Sequence, residues 1–260
     1  MIQKPVKLIL SALAVLFFML PVAVVAQDTP PPLAEAWVVT PKDGQSTELW
    51  KGLTAHMAFR SEHGDKREWQ AYTPVLGDDL SRIAIRFCCF NWADQDTYNA
   101  EIDNADEINE HFKKHVAPHT ATWTHYFESF DWENSHWVDG DQDYSLYAVT
   151  TFHLKPGQAA QFDAARDKMS QIALNQGWAT DQRAWLWSET IGGKPQQSII
   201  VPHVNYASMD RGDKSFYRFL TEHMSEAEAS ALLQEFAESS WTSDFQIWKH
   251  QEELSMDSDD

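Results

Sequence analysis

A short stretch that occurs twice decides the fold: KDGQ at residues 42–45 and KPGQ at residues 155–158. In each copy a further glycine follows 20 residues after the first, at Gly64 and Gly177. In the second copy, apolar residues between the two glycines recur at spacings of three and four, which is typical of one helix face. Because glycine commonly stands just after a helix end, each copy predicts a helix that ends near its second glycine.

A β-hairpin is predicted in each half from turn residues between two β-rich runs. The turns are GDD at 77–79 and GGK at 192–194. A matching triplet then follows in each half, NWA at 91–93 and NYA at 205–207, whose asparagine is interpreted as the cap of a turn or helix. The hairpin strands are expected at 69–75 and 83–87 in the first half, and at 183–189 and 198–201 in the second.

The remaining elements give both halves the same order, β-α-β-β-α-β, which is the split βαβ or ferredoxin-like unit. Opening strands are expected at 36–40 and 146–154, second helices at 108–116 and 216–224, and closing strands at 135–138 and 245–248. The predicted organisation is a signal peptide at 1–26, a linker at 27–33, ferredoxin-like repeat 1 at 34–138, an acidic linker at 139–143, ferredoxin-like repeat 2 at 144–252 and an acidic tail at 253–260.

Two ferredoxin-like units in tandem resemble the dimeric α+β barrel superfamily, in the version in which one chain supplies both halves. The resemblance covers about residues 34–252 and depends on the order of elements and on the repeated glycines and asparagines. It implies an α+β fold in which two four-stranded sheets form a single-chain barrel with helices outside. The superfamily includes small monooxygenases, haem-degrading enzymes and chlorite dismutases, and fold alone transfers none of these activities.

The N-terminus has the build of a secretory signal peptide. Lys4 and Lys7 precede an almost wholly apolar run from residue 8 to residue 26, which ends in the small residues VVA. The alternative is an uncleaved anchor, since a run of this length nearly spans a bilayer. We therefore expect a periplasmic or secreted protein that meets the membrane only during export.

Composition and missing motifs exclude several functions. The 39 acidic residues exceed the 20 basic ones, for a net charge of −19, and this balance argues against nucleic acid and against anionic lipid as partners. The 43% hydrophobic content is enough for a sizeable core. Without a G-x-S-x-G, Walker A, H-E-x-x-H or G-x-G-x-x-G motif, hydrolase, nucleotide-binding and zinc-protease functions lack support.

A candidate ligand site follows from alternation along one predicted strand. Side chains two apart share a face of a strand. In the predicted strand at 183–189, the large set Arg183, Trp185, Trp187 and Glu189 alternates with Ala184, Leu186 and Ser188. We expect the large set to face the barrel interior and to hold a planar or anionic organic ligand. The alternative is an internal ion pair between Arg183 and Glu189. The predicted ligand-binding residues are Arg183, Trp185, Trp187, His153 and His203.

Three histidines, His111, His115 and His119, recur at helical spacing. Imidazoles on one helix face can bind zinc, copper or nickel, and one can hold a haem iron. Pro118 would break the last turn, and the second half keeps only His223, at the place of His115. We predict no metal site, with His111, His115 and His223 as the candidates if one exists. His56 is interpreted as a satisfied core histidine.

The two cysteines, Cys88 and Cys89, are adjacent in a predicted strand. Since neighbouring side chains of a strand point to opposite faces, two buried thiols are expected. A redox pair is the alternative.

These observations lead to one functional expectation and two alternatives. The first is an exported soluble protein that binds a small aromatic or apolar organic molecule, either as a binding protein or as a cofactor-independent monooxygenase-like enzyme. The alternatives are a haem- or metal-binding protein of the same fold, and a non-catalytic interaction module with a filled barrel. The cofactor stays undetermined, and the chain is expected to be a monomer or a homodimer.

Overall fold

The computed structural model describes residues 30–102, 105–138, 143–210 and 212–256. The predicted signal peptide lies outside these residues, as do most of the predicted linkers and the end of the tail. In the described ranges, no helix combines the length and the apolar character that crossing a membrane requires.

Strands and helices follow one another in the same order in both halves of the described chain. The strands are β1 (Leu33–Pro41), β2 (Gln70–Leu76), β3 (Ile83–Phe90), β4 (Thr120–His136), β5 (Leu146–Leu154), β6 (Trp185–Ile191), β7 (Gln196–His203) and β8 (Ser240–His250). The helices are α1 (Ser46–Glu62), α2 (Trp92–Glu101), α3 (Ala105–His115), α4 (Ala159–Asn175), α5 (Phe216–Thr221) and α6 (Glu226–Glu238).

The strands close into a barrel in the order β1-β3-β2-β8-β5-β7-β6-β4. Within this ring each half keeps the order of a ferredoxin-like sheet, β4-β1-β3-β2 and β8-β5-β7-β6. The two sheets join through antiparallel β2–β8 and β4–β6 pairs. The predicted α+β fold, two tandem ferredoxin-like units in one single-chain barrel, is therefore confirmed, and the cavity needs no second copy to close it.

Helices cover the outer faces of both sheets and form separate cores there. In the first half Leu49 and Leu53 of α1 are buried against strands β1–β3. In the second half Phe162 of α4 and Phe219 of α5 pack on the tryptophans of β6. Each such side chain contributes about 1.5–3 kcal/mol by leaving water. The two helix-side clusters therefore stabilise both halves.

Repeated glycines and asparagines have the local roles expected of them. Gly64 and Gly177 follow the ends of α1 and α4 with φ of +72° and +80°, a left-handed conformation that glycine adopts without cost. Asn91 caps α2, and Asn205 accepts a hydrogen bond of 3.0 Å from the Ser208 amide. These interpretations are confirmed.

Three elements differ from the sequence-based expectation. The first closing strand was predicted at 135–138, but β4 begins at Thr120. The second helix of the second half was predicted at 216–224, but α5 ends at Thr221 and the longer α6 follows. Helix α2 was not predicted, because it buries no residue and so lacks an apolar period.

The chain beyond β8 returns to the first half. Leu254 and Met256 are buried in the core under α1, and the Met256 amide donates a hydrogen bond of 2.8 Å to the Trp69 carbonyl. The predicted acidic tail therefore begins with a segment that packs, and this segment ties the C-terminus to the N-terminal sheet.

Candidate ligand-binding cavity

A cavity of about 780 Å³ lies inside the barrel and is lined from all eight strands. Its volume falls in the range of small-molecule sites. Small residues create part of this space, since Ala36 of β1 and Ala84 of β3 point into it. An interaction module with a filled barrel predicts no such space, so the cavity argues against that alternative.

An ion pair lies on the cavity wall of the first half. Arg86 of β3 donates through Nε a hydrogen bond of 2.8 Å to Oε2 of Glu128 on β4. The two side chains are 22% and 14% accessible. Burial alone would lower the pKa of Arg86, but the carboxylate of Glu128, followed by Tyr72, outweighs burial and raises that pKa. Arg86 therefore keeps its positive charge beside the carboxylate of Glu128.

Hydrogen-bonding capacity remains at this pair. Among the described residues, Nη2 of Arg86 is a buried donor without a partner. Such a donor costs about 1–3 kcal/mol when it stays unpaired. Because Nη2 exposes almost no surface, a ligand would reach it only after a small rotation of the guanidinium. The pair would then offer a donor at Arg86 beside the carboxylate of Glu128, an arrangement that suits a ligand group able to accept and to donate.

Three tyrosines, Tyr72, Tyr126 and Tyr147, line the cavity near this pair. Burial raises the pKa of each phenol, so all three are neutral hydroxyls at physiological pH. The rings of Tyr72 and Tyr147 meet edge to face at 5.4 Å. Neutral phenols add donors and acceptors to the cavity without adding charge.

Part of the remaining wall is aromatic, and the mouth carries acidic side chains. Trp132, Trp137 and Trp248 provide apolar surface. We define the mouth by the exposed lining residues Asp78 and Asp244, which come from the β2–β3 turn and from β8. Because an acidic mouth repels anions, an anionic ligand is disfavoured.

The predicted site residues of β6 face the wrong way. Trp185 and Trp187 belong to the helix-side core, where Nε1 of Trp187 donates a hydrogen bond of 3.0 Å to Ser170 of α4. Leu186, between them, lines the cavity. The alternation was predicted correctly but its face was not. Both faces of this sheet are covered, and the large rings fit under the helices.

The other three predicted residues are separated in space. The guanidinium carbon of Arg183 lies 4.3 Å from the ring centroid of Trp178, ahead of β6 and away from the cavity lining. His203 is the last residue of β7, and its Nδ1 lies 3.2 Å from the Ser208 carbonyl in the following turn. His153 lines the cavity near the mouth, with Nε2 2.6 Å from Oδ2 of Asp244.

The candidate haem and metal ligands lie outside the cavity. His115 ends α3, and the ring of His223 packs on Phe219, 4.8 Å between centroids. His119 leaves the helix face at Pro118, and its Nδ1 lies 2.8 Å from Gln45. None of these imidazoles lines the cavity, so they do not fit a haem held there. Among the described residues no group of three or more side chains forms a ready metal site.

The cysteine prediction was wrong. Cys88 and Cys89 form a disulfide, and both line the cavity. The β1–β3 register shifts between Leu33 and Ala34, opposite these residues, and this irregularity interrupts the alternation of side chains on which the prediction depended.

The central cavity residues were not predicted as a site. Arg86 alternates with Ile83, Ile85 and Phe87, and a charge inside such an apolar run was the available sign. Glu128 gave no sign, because the sequence did not place a strand there. An arginine and large aromatic rings were predicted inside the barrel, and the cavity contains both, supplied by other residues.

Solved structures resemble this chain in fold, whereas no protein-family model and no curated protein matches it. A protein from Lactobacillus acidophilus NCFM, provisionally named a monooxygenase, is 10% identical with a TM-score of 0.50, over 85% of this chain and 94% of that one. A similarly named protein from Fusobacterium nucleatum subsp. nucleatum ATCC 25586 is 7% identical with a TM-score of 0.52, over 85% of this chain and 93% of that one. A mutant chlorite dismutase from Candidatus Nitrospira defluvii, in complex with cyanide, is 9% identical with a TM-score of 0.50, over 87% of this chain and 93% of that one. These similarities show the dimeric α+β barrel fold and confirm the resemblance.

Proposed function

We propose that the barrel cavity binds a small, neutral aromatic molecule that carries a hydroxyl group. The observation that carries this proposal is the Arg86–Glu128 pair on the cavity wall, with Nη2 of Arg86 unpartnered among the described residues. A ligand hydroxyl accepts from Arg86 and donates to Glu128, so it satisfies both groups at once. The tryptophans of the wall take the ring.

The same pair supports oxidation of the ligand as the second step of the proposal. Glu128 would take the hydroxyl proton, and Arg86 would stabilise the oxyanion that results. A phenolate or enolate is electron-rich, so the bound ligand would supply the electrons that reduce O₂. This is the cofactor-independent, monooxygenase-like activity expected from the sequence. The two structurally similar proteins that are provisionally named monooxygenases make it worth testing.

Location is a separate part of the proposal. We propose that the protein is exported, on the pattern of residues 1–26 alone. N-terminal sequencing of the mature protein tests this, with Gln27 expected as the first residue. A mature chain that begins at Met1 would contradict cleavage.

Two matched probes test the binding proposal. 2-Naphthol and 2-methoxynaphthalene differ only at the oxygen that would meet Arg86 and Glu128. The double variant Arg86→Met/Glu128→Gln removes both charges without leaving either one unpaired. Quenching of tryptophan fluorescence should show a roughly tenfold weaker affinity for naphthol, the equivalent of about 1.4 kcal/mol. The affinity for the methoxy compound should change less than about twofold.

Arg183→Gln is the control, because Arg183 packs on Trp178 away from the cavity lining. It should leave both affinities unchanged. The proposal fails if the double variant weakens both probes equally, or if neither probe quenches the wild-type protein. Oxygen uptake with naphthol in metal-free buffer, compared between the wild type and the double variant, tests the oxidation step separately.

A further inference from the structure

Histidines from two helices meet on the outer side of the first half. His56 lies on α1 and is 3% exposed, whereas His111 and His115 of α3 are half-buried. Nδ1 of His56 and Nδ1 of His111 are 3.2 Å apart and share a hydrogen bond. The ring of His115 lies 4.3 Å from that of His111 between centroids. The cavity does not include these residues.

The distance between the two nitrogens fits metal ligation. A tetrahedral ion bound at about 2.0–2.1 Å from each imidazole holds its two nitrogens roughly 3.3–3.4 Å apart. The observed 3.2 Å is within about 0.2 Å of that value. An ion therefore fits between the rings after a small rotation of the side chains.

Helices α1 and α3 approach each other closely beside the pair. At Gly52 of α1, a Cβ would overlap the carbonyl oxygen of His115. The two helices therefore approach closely at the end of α3, and this contact fixes the backbone of His115 one turn beyond His111. Prior positioning of ligands lowers the cost of ordering them on binding.

An ion would take the place of the proton that the two imidazoles share. In a neutral imidazole that proton can move to Nε2 of the same ring, which leaves both Nδ1 lone pairs free for the metal.

Neighbouring charges act in both directions. Arg60 and Lys114 disfavour a cation here. However, Nε of Arg60 donates a hydrogen bond of 2.6 Å to Asp65, which offsets its charge. Glu107 lies 3.9 Å from Nε2 of His63, and the chain carries a net charge of −19. The acidic surface favours arrival of a cation.

We propose that His56, His111 and His115 bind one divalent transition-metal ion of the zinc, nickel and copper class, with water completing the coordination. Imidazole suits this class of ion. The described residues contain no ready group of three ligands, so His56 and His111 form the core of the site and His115 rotates to join them.

Equilibrium dialysis of the full chain, prepared without a histidine tag, tests the site. Zn²⁺ is the probe, and a large excess of Mg²⁺ occupies the surface carboxylates, which prefer that ion. We expect one zinc ion per chain. His111→Ala should weaken binding at least about tenfold, and Co²⁺ bound to the wild type should show the visible absorption of a tetrahedral nitrogen site.

His223→Ala is the matched control, because His223 holds the place of His115 in the second half, and it should bind zinc like the wild type. His111→Gln serves as a second variant if circular dichroism shows that the alanine variant loosens α3. The proposal is overturned if the wild type binds no zinc under Mg²⁺, or if folded His111 variants bind it as tightly. Naphthol binding in the cavity should not change in any of these variants.

Discussion

The two halves of the barrel share a backbone and differ at equivalent positions inside it. Ala36 of β1 pairs with Arg86, whereas Val149 of β5 pairs with Ile200. All four side chains line the cavity. One half therefore places a cation where the other places an aliphatic side chain, so the shared strand order does not determine the chemistry of the cavity wall.

Room for the charged pair comes from its neighbours. Arg86 and Glu128 lie on the strands at either side of β1, and small Ala36 lets them meet across it. In the second half Ile200 takes the place of Arg86, and Thr151 and Ser198 on the same wall make a neutral contact of 2.9 Å. The contact between His153 and Asp244 in that half lies at the mouth. A buried charge is tolerated where its partner is within reach, so the first half can bind a polar ligand group.

On the helix side of the sheets, it is the second half that carries the larger side chain. Trp187 of β6 pairs with Ile199, and in the first half Ala71 of β2 pairs with Ile85 in the equivalent register. In the second half one large ring thus fills a space on the helix side. In the first half the helices fill that space. The helix-side core of the second half should depend on that ring.

The largest expected effect follows from this difference. Trp187→Ala should lower the free energy of unfolding by about 3–5 kcal/mol, because it opens a cavity under α4 and leaves Ser170 without its partner. Urea denaturation measures it. Naphthol affinity of the folded variant should stay unchanged, since Trp187 is not in the cavity lining.

Trp241→Ala is the control for that variant. Trp241 is 69% exposed, so the change should be within about 0.5 kcal/mol. Equal losses at the two positions would contradict the view that the second half depends on Trp187. If folded Trp187→Ala loses naphthol binding, Trp187 faces the barrel interior, as predicted from the sequence.

The sequence was sufficient for the frame but not for the site. Glycines after helices and residues in turns act locally, so Gly64 and Gly177 predicted the repeat correctly. The face of β6 depends on which side is filled by helices and which is left hollow, and period-two alternation carries no such information. Glu128 was missed because β4 has few buried residues over its first half, which removes the apolar signal of a strand.

A smaller effect is expected when the charged pair is broken. Glu128→Ala leaves Arg86 uncompensated, and a fully buried pair loses about 3–5 kcal/mol in this way. With side chains 22% and 14% accessible, we expect a loss of about 2–4 kcal/mol. The double variant Arg86→Ile/Glu128→Gln gives the first half the residue found at Ile200 and should recover most of that loss.

Chemical denaturation of the two variants shows whether the ion pair raises or lowers the free energy of unfolding. If the single and double variants are equally destabilised, the first half needs the ion pair for folding. The inequality between the halves would then be structural and not functional.

The smallest effect concerns alkaline pH. Burial raises the pKa of Tyr126 above that of the unfolded chain, about 10. Above pH 10 the unfolded chain therefore loses this proton while the folded chain keeps it. Stability should be unaffected below about pH 10 and should fall above it, by up to about 1.4 kcal/mol per pH unit for each such tyrosine.

Tyr126→Phe should flatten this decline, and Tyr217→Phe, at an exposed helix position, should not. Urea denaturation between about pH 9 and 11 provides the comparison. Tyr126 and Tyr72 lie on strands of the first half, and Tyr147 lies on a strand of the second. Removing the two first-half phenols should therefore flatten the decline more than Tyr147→Phe does. An equal effect from the single second-half tyrosine would contradict the view that the buried phenols of the cavity lie mainly on the first sheet.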